Sequence, residues 1–205
     1  MQIYCWPIIY PGVCCMIKTR EELKEYMRCD KEQLGIKRRW PRPFSDEIWK
    51  YERMLRKYEF WTNQKGVLSC GVKFVYKCLF HQKCVKLGIF IAPNTCGKGL
   101  SIAHINCIQI NHHAIIGENL RIQEGVTIGA SGGKAPIIGD NVYCASGCKI
   151  IGDVKVADGC VIGANAVVVK SIDEQGITVA GVPAKKISNH NSDKFVYFYK
   201  HKENE

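Results

Sequence analysis

Along the second half of the chain, apolar residues recur every six positions. His104 opens a series continued by Ile110, Ile116, Ile122 and Ile128, and after an interruption Ile138, Cys144, Ile150, Val156, Ile162 and Val168 resume it. A second series runs through Val142, Cys148, Val154, Cys160 and Ala166, and glycine follows the aliphatic position at 117, 129, 139 and 163. A helix repeats at 3.6 residues and a strand at 2, so neither alone gives this pattern. A period of six predicts short strands separated by tight turns, stacked as a parallel β-helix. Ile128 and Ile138 are separated by four positions more than one hexad. This predicts a loop (GASGGKAP, 129–136) extruded from the stack, where sites are usually built.

The first half carries helical spacing instead. Thr19-Arg20-Glu21-Glu22 spells a capping box ahead of Leu23, Tyr26 and Met27, predicting a helix over about 20–33. Gly35 and the KRRWPRP stretch (37–43) end it. Ser45 reads as the N-cap of a second helix whose apolar positions include Ile48, Trp49, Leu55 and Tyr58. Val67 to Leu87 reads as a third helix, too rich in lysine to cross a bilayer. The expected organisation is an N-terminal extension and helical region (1–88, with 1–15 poorly ordered), a solenoid domain (89–187) and a C-terminal tail (188–205).

Composition narrows the class. The hydrophobic fraction of 46% and charged fraction of 23% exclude a disordered chain, and 19 glycines against 7 prolines exclude collagen. The formal charge of +10 sits in residues 1–88, which hold 18 basic and 9 acidic side chains, whereas residues 89–205 hold 11 and 10. Amphipathic helices account for the interleaved arginines and tryptophans without nucleic acid. Attraction to an anionic membrane surface or polyanionic acceptor stays open. The 12 cysteines show neither a secretory leader beside them nor paired zinc spacing. Reduced thiols in the cytoplasm and no metal are expected. Cys144, Cys148 and Cys160 fall on small inward positions and are expected in the core.

GKGLSIAH (97–104), the hexads, the glycine-rich loop, GANAVVVKSI (163–172) and AGVPAK (180–185) together resemble the serine acetyltransferase branch of the left-handed β-helix acyltransferases. The resemblance implies a left-handed coil, acetyl-coenzyme A as donor and a hydroxyl as acceptor. It also implies a homotrimer with sites between subunits, or two trimers stacked as a hexamer through the helical region. It places the catalytic base at His104, although in the hexad count His104 occupies an inward aliphatic phase. The main chain at Ala130, Ser146 and Ala164 would contact the donor, with Lys170 and Lys185 toward its phosphates. Asn94, Asn106, Asn111 and His112 are candidate acceptor contacts, with Asn94 or Asn106 a possible orienter of His104.

Three positions depart from true serine acetyltransferases. An aspartate that orients the histidine is Ile89 here, an aspartate just before the histidine is Ala103, and a second histidine is Ala135. With these departures, and a helical lead-in spelled DEIWKYERMLRKYEF (46–60), the chain is closer to the related polysaccharide O-acetyltransferases. The expected function is acetyl transfer to a sugar hydroxyl of a surface-polysaccharide precursor, which would be free or lipid-linked. Serine O-acetylation for cysteine biosynthesis is the alternative enzyme, and a non-catalytic hexapeptide scaffold the alternative from another class.

Overall fold

The structure, a computed structural model, describes residues 16–196. The expected N-terminal extension (1–15) and residues 197–205 of the tail lie outside the described residues. Helix α1 (Arg20–Gln33) starts at the capping box: the Thr19 hydroxyl accepts from the Glu22 N–H at 3.1 Å, and the Glu22 carboxylate accepts from the Thr19 N–H at 2.9 Å. Helix α2 (Glu47–Asn63) is capped one residue later than expected, at Asp46 and not Ser45. Asp46 sits at φ 63°, and its carboxylate is held by the Arg42 N–H at 2.8 Å and the Arg38 guanidinium. With that carboxylate engaged across the preceding turn, it makes no cap bond to the helix. Helix α3 (Val67–Leu87) ends at Gly88, φ 66°, whose N–H returns to the Cys84 carbonyl.

The solenoid starts immediately after it. The first rung holds β1 (Ile89–Ile91) and β2 (Ser101–Ile102), with Cys96 bridged to Ile116 on the side between them. The second holds β3 (Ile108–Ile110), β4 (Ile115–Ile116) and β5 (Arg121–Ile122), and the third β6 (Thr127–Gly129), β7 (Ile137–Ile138) and β8 (Tyr143–Cys144). The fourth holds β9 (Lys149–Ile151), β10 (Lys155–Val156) and β11 (Val161–Ile162). The fifth holds β12 (Val167–Val168), a bridge at Ile172 and β13 (Thr178–Ala180), after which β14 (Lys185–Ser188) folds back antiparallel. The other pairings between these strands are parallel, and the strands form three sheets: β1-β3-β6-β9-β12, β4-β7-β10 and β2-β5-β8-β11-β13-β14.

Register follows the hexads. Thr127 pairs with Lys149 across the extruded loop, and Lys149 pairs with Val167 on a rung without one; the first step along the chain is longer by four positions. Every member of both inward series is buried apart from His104, and Cys144, Cys148 and Cys160 are fully covered. The reason His104 escapes is local. Ile102 pairs with Ile122 and Ile110 with Ile128, so the turn joining β2 to β3 is two positions longer than the turn below it. That insertion carries the histidine out of phase.

The core is continuous from helices to solenoid. Tyr51, Leu55, Phe80 and Leu87 join the first coil's Ile89, Ile91 and Ile102 in one buried cluster. Beside it, Arg56 is fully buried and bonds Asp30 at 2.8 Å, Glu59 at 3.0 Å and the carbonyls of Cys96 and Gly97 at 2.9 and 2.6 Å. Asp30 also accepts the Gly99 and Leu100 N–H groups, and Glu59 that of Asn94. A buried guanidinium needs this number of acceptors. The network fixes α1 and α2 against the first rung, just ahead of the His104 turn.

Candidate active site

The turns leaving the β2-β5-β8-β11-β13 sheet stack into one edge of the solenoid. His104 lies on the first, exposed, in a turn whose Asn106 and Cys107 adopt φ of 99° and 51°. The turn is pinned from both sides: the Asn106 N–H bonds the Leu87 carbonyl at 3.1 Å, and its carbonyl accepts the Gly125 N–H at 3.1 Å. Ser101 pairs with Arg121, Arg121 with Tyr143 and Tyr143 with Val161, and this register carries position 104 to Glu124, Ser146 and Ala164 in turn. The main-chain bonds along this edge, Gly125 N–H to Asn106 at 3.1 Å and Gly147 N–H to Glu124 and Asn165 N–H to Ser146 at 2.9 Å, stack Asn106, Glu124, Ser146 and Ala164, and His104 lies two positions ahead of Asn106 on the same lengthened turn. At the usual strand spacing the column from His104 to Ala164 is about 14 Å long. Beyond it, the Gly181–Ala184 turn rests on Val167 through bonds of 3.0 and 2.8 Å and leads to Lys185.

Sequence reasoning missed Glu124. Its carboxyl is held below the ordinary value first by its own backbone N–H, then by the Ser146 side chain, with the nearby His104 adding to the effect. One of its oxygens, Oε2, is buried with no hydrogen-bond partner. An ionised carboxylate with a vacant acceptor beside an exposed imidazole can receive an imidazole N–H and stabilise imidazolium. The signal for it is present in the chain, since one irregular coil counted onward from His104 lands on Glu124.

The remaining candidates lie along the edge formed by turns leaving the β1-β3-β6-β9-β12 sheet. Asn94 is in the first such turn, its side chain paired reciprocally with Asn63 at 2.9 and 3.0 Å, so its amide ties the coil to α2. Asn111 accepts the His113 N–H at 2.9 Å and shapes the next turn. The His112 ring lies against that of His113, centroids 3.9 Å apart and planes tilted by 44°, and partial burial, then the neighbouring ring, lowers the His112 pKa. Ala130 begins the extruded loop, which doubles back between Ser131 and Lys134 and is tied to Asp153 through Lys134. Lys170 is exposed on the fifth turn of this edge. Within one chain, then, His104, Asn106, Ser146, Ala164 and Lys185 share one edge, and Asn94, Asn111, His112, Ala130 and Lys170 share another.

Next to the His104 turn, a cleft of about 160 Å³ opens between the α1–α2 connection and β2, lined by Ile36, Asp46, Trp49, Ala103 and Arg121 among others. Arg121 donates to the Ser101 hydroxyl at 3.0 Å, and the Trp49 Nε1 is buried without a hydrogen-bond partner. Of the three departures, Ile89 is fully buried, Ala103 lines the cleft, and Ala135 packs on the core. Among the described residues no three His, Cys, Asp or Glu side chains group as a metal ion requires.

The fold is that of a left-handed β-helix built on a six-residue repeat, and residues 135–170 match the family model described as bacterial transferase hexapeptide (six repeats). Over about half of its length the chain is similar to serine acetyltransferases. The serine acetyltransferase of Staphylococcus aureus strain Mu50 is 43% identical over 101 residues, 47% of either chain. That of Staphylococcus epidermidis strain RP62A is 44% identical over the same length. The chain spans about half the length of the curated relatives it matches. Among solved structures, serine acetyltransferase from Vibrio cholerae superposes with a TM-score of 0.67 at 24% identity, covering 86% of this chain and 70% of that one. A serine acetyltransferase solved in complex with CoA gives a TM-score of 0.67 at 23% identity, covering 82% and 71%.

Proposed function

We propose that the protein is an acetyl-coenzyme A-dependent O-acetyltransferase of the serine acetyltransferase type, with serine as acceptor. The observation that carries this is the column of Glu124, Ser146 and Ala164 below the turn that holds His104. A hydroxyl is a poor nucleophile at neutral pH, and an imidazole can take its proton as the oxygen attacks the thioester carbonyl. The tetrahedral oxyanion is met by a main-chain N–H donor and collapses by breaking the C–S bond. The imidazolium then returns its proton to the departing thiolate. Glu124 stabilises that imidazolium, the role given elsewhere to the aspartate whose place Ile89 takes here. Small groups at Ser146 and Ala164 let the donor's arm lie along the column, with Lys185 at its far end.

The relatives are serine acetyltransferases, which moves the weight from the sugar acceptor expected from sequence to serine. A sugar hydroxyl is the second reading, favoured by Ala103 and Ala135, where two polar contacts of serine acetyltransferases are missing.

A homotrimer is part of this proposal. The candidates occupy two edges, and a neighbouring copy that lays its 129–136 loop against the first copy's His104 edge unites Ala130 and Lys170 with the column. A three-fold ring closes such contacts.

Purified protein incubated with acetyl-coenzyme A and serine is expected to form O-acetylserine, read by mass spectrometry, since the protein's own thiols would react with a thiol-release dye. Bound donor with no product from serine, but product from a sugar, would establish the second reading. Donor affinity that survives loss of His104, with no turnover on any acceptor, would make the protein a scaffold.

A further inference from the structure

Helix α3 has two apolar faces. Phe80, Cys84 and Leu87 on one are buried against the rest of the core. The other turns Val67, Leu68, Phe74, Val75, Leu79 and Val85 outward, with Val67 93%, Phe74 67% and Leu79 45% exposed. At 3.6 residues per turn these six fall on one side of the helix. Lys73 and Lys77 flank that stripe on one side, Lys83 on the other, and Lys86 closes its C-terminal end. No acidic residue occurs between Glu59 and Glu118, so the helix and its flanks carry positive charge alone. Lys83 is paired to Glu47 of α2 at 2.8 Å, an acid supplied from outside this stretch.

We infer that α3 docks this protein on the surface of an anionic phospholipid bilayer. The apolar stripe lies at the boundary of headgroups and acyl chains, and the flanking lysines meet lipid phosphates. Charge selects this occupant. A second copy laid on the same face would bring two sets of lysines together with no carboxylate from either helix to meet them. The helix lies on the surface and does not span it, since no helix among the described residues is long and apolar enough to cross a membrane. Docking of this kind is independent of acetyl transfer and of the acceptor's identity.

The test uses full-length protein sedimented with vesicles of phosphatidylcholine containing phosphatidylglycerol, and with vesicles of phosphatidylcholine alone. Binding is expected to the anionic vesicles only, and to weaken as salt rises. Lys73→Gln combined with Lys77→Gln is expected to weaken it about thirty-fold, at about five-fold per lysine near an anionic surface. Phe74→Ser combined with Leu79→Ser is expected to abolish it with the melting temperature unchanged, because both side chains are exposed. Should the serine variant fail to fold, the lysine variant decides alone, as it alters no apolar packing. No binding to anionic vesicles, equal binding to neutral ones, or binding indifferent to both variants would overturn the inference. So would a serine variant that shifts the protein to a smaller assembly by light scattering while the parent ignores vesicles, since the face would then join copies of this chain.

Discussion

Glu124 sits one rung below His104 on the same edge of the solenoid, in the register that pairs Ser101 with Arg121. Because the pair depends on an irregular coil, it combines an imidazole that reaches solvent with a carboxylate anchored in the regular stack.

His104→Ala is expected to lower kcat by about 10²–10⁴-fold with acetyl-coenzyme A affinity retained, the usual scale for losing a general base. Glu124→Gln preserves shape and removes charge, and is expected to lower kcat with little change in donor KM. Steady-state kinetics with isothermal titration of the donor check both. Parental turnover in either variant would remove that residue from the mechanism.

Ala164 is exposed at the fourth rung of the column. Ala164→Trp is therefore expected to raise the KM for acetyl-coenzyme A by at least ten-fold while leaving the melting temperature within about 2 °C, as for most exposed positions. A donor KM unchanged by the indole would place the donor elsewhere.

Arg56 compensates the buried carboxyls of Asp30 and Glu59 and also bonds two main-chain carbonyls. Arg56→Met keeps the volume and strands those carboxyls, so a loss of about 3–5 kcal/mol is expected in denaturant unfolding. The opposite result, a stabilised variant, would mean the carboxyls are protonated in the native state.

Glu52 is fully buried, accepts the Ile102 N–H at 3.0 Å with one oxygen and has no partner for the other. Burial, then the negative charge of Asp30, pushes its carboxyl well above the ordinary value. A raised carboxyl holds a proton in the native state that the unfolded chain releases above about pH 4.5. Its contribution to stability is therefore full below that pH and is lost as pH rises toward the folded value. Melting temperatures measured from mildly acidic to alkaline pH are expected to fall for the parent and to fall less for Glu52→Gln, which keeps the Ile102 bond. Parallel curves would show that Glu52 does not carry the dependence.

Much of the fold was legible because six-residue spacing is a direct image of a rung side, and the four-position excess at 129–136 became a lengthened step between Thr127 and Lys149. The α1 boundaries followed from Thr19 and Glu22, whose side chains make the cap they spell. The α2 start did not, because Asp46 is held by Arg38 and Arg42 across a turn whose shape the local sequence does not reveal. Counting hexads through His104 put it inward. The insertion between β2 and β3 breaks the count, and only strand pairing exposes that. The same insertion hid Glu124. Asn94 read as a polar candidate because nothing in the chain before it announces that Asn63 will pair with it.

The loop between Gly129 and Pro136 leaves and rejoins the stack without disturbing the rungs beneath it: strands on either side keep their partners, and Lys149 meets Val167 at the regular spacing. Such a segment behaves as an exchangeable cassette. Its length and chemistry can drift while the rungs that hold His104, Glu124, Ser146 and Ala164 stay in place.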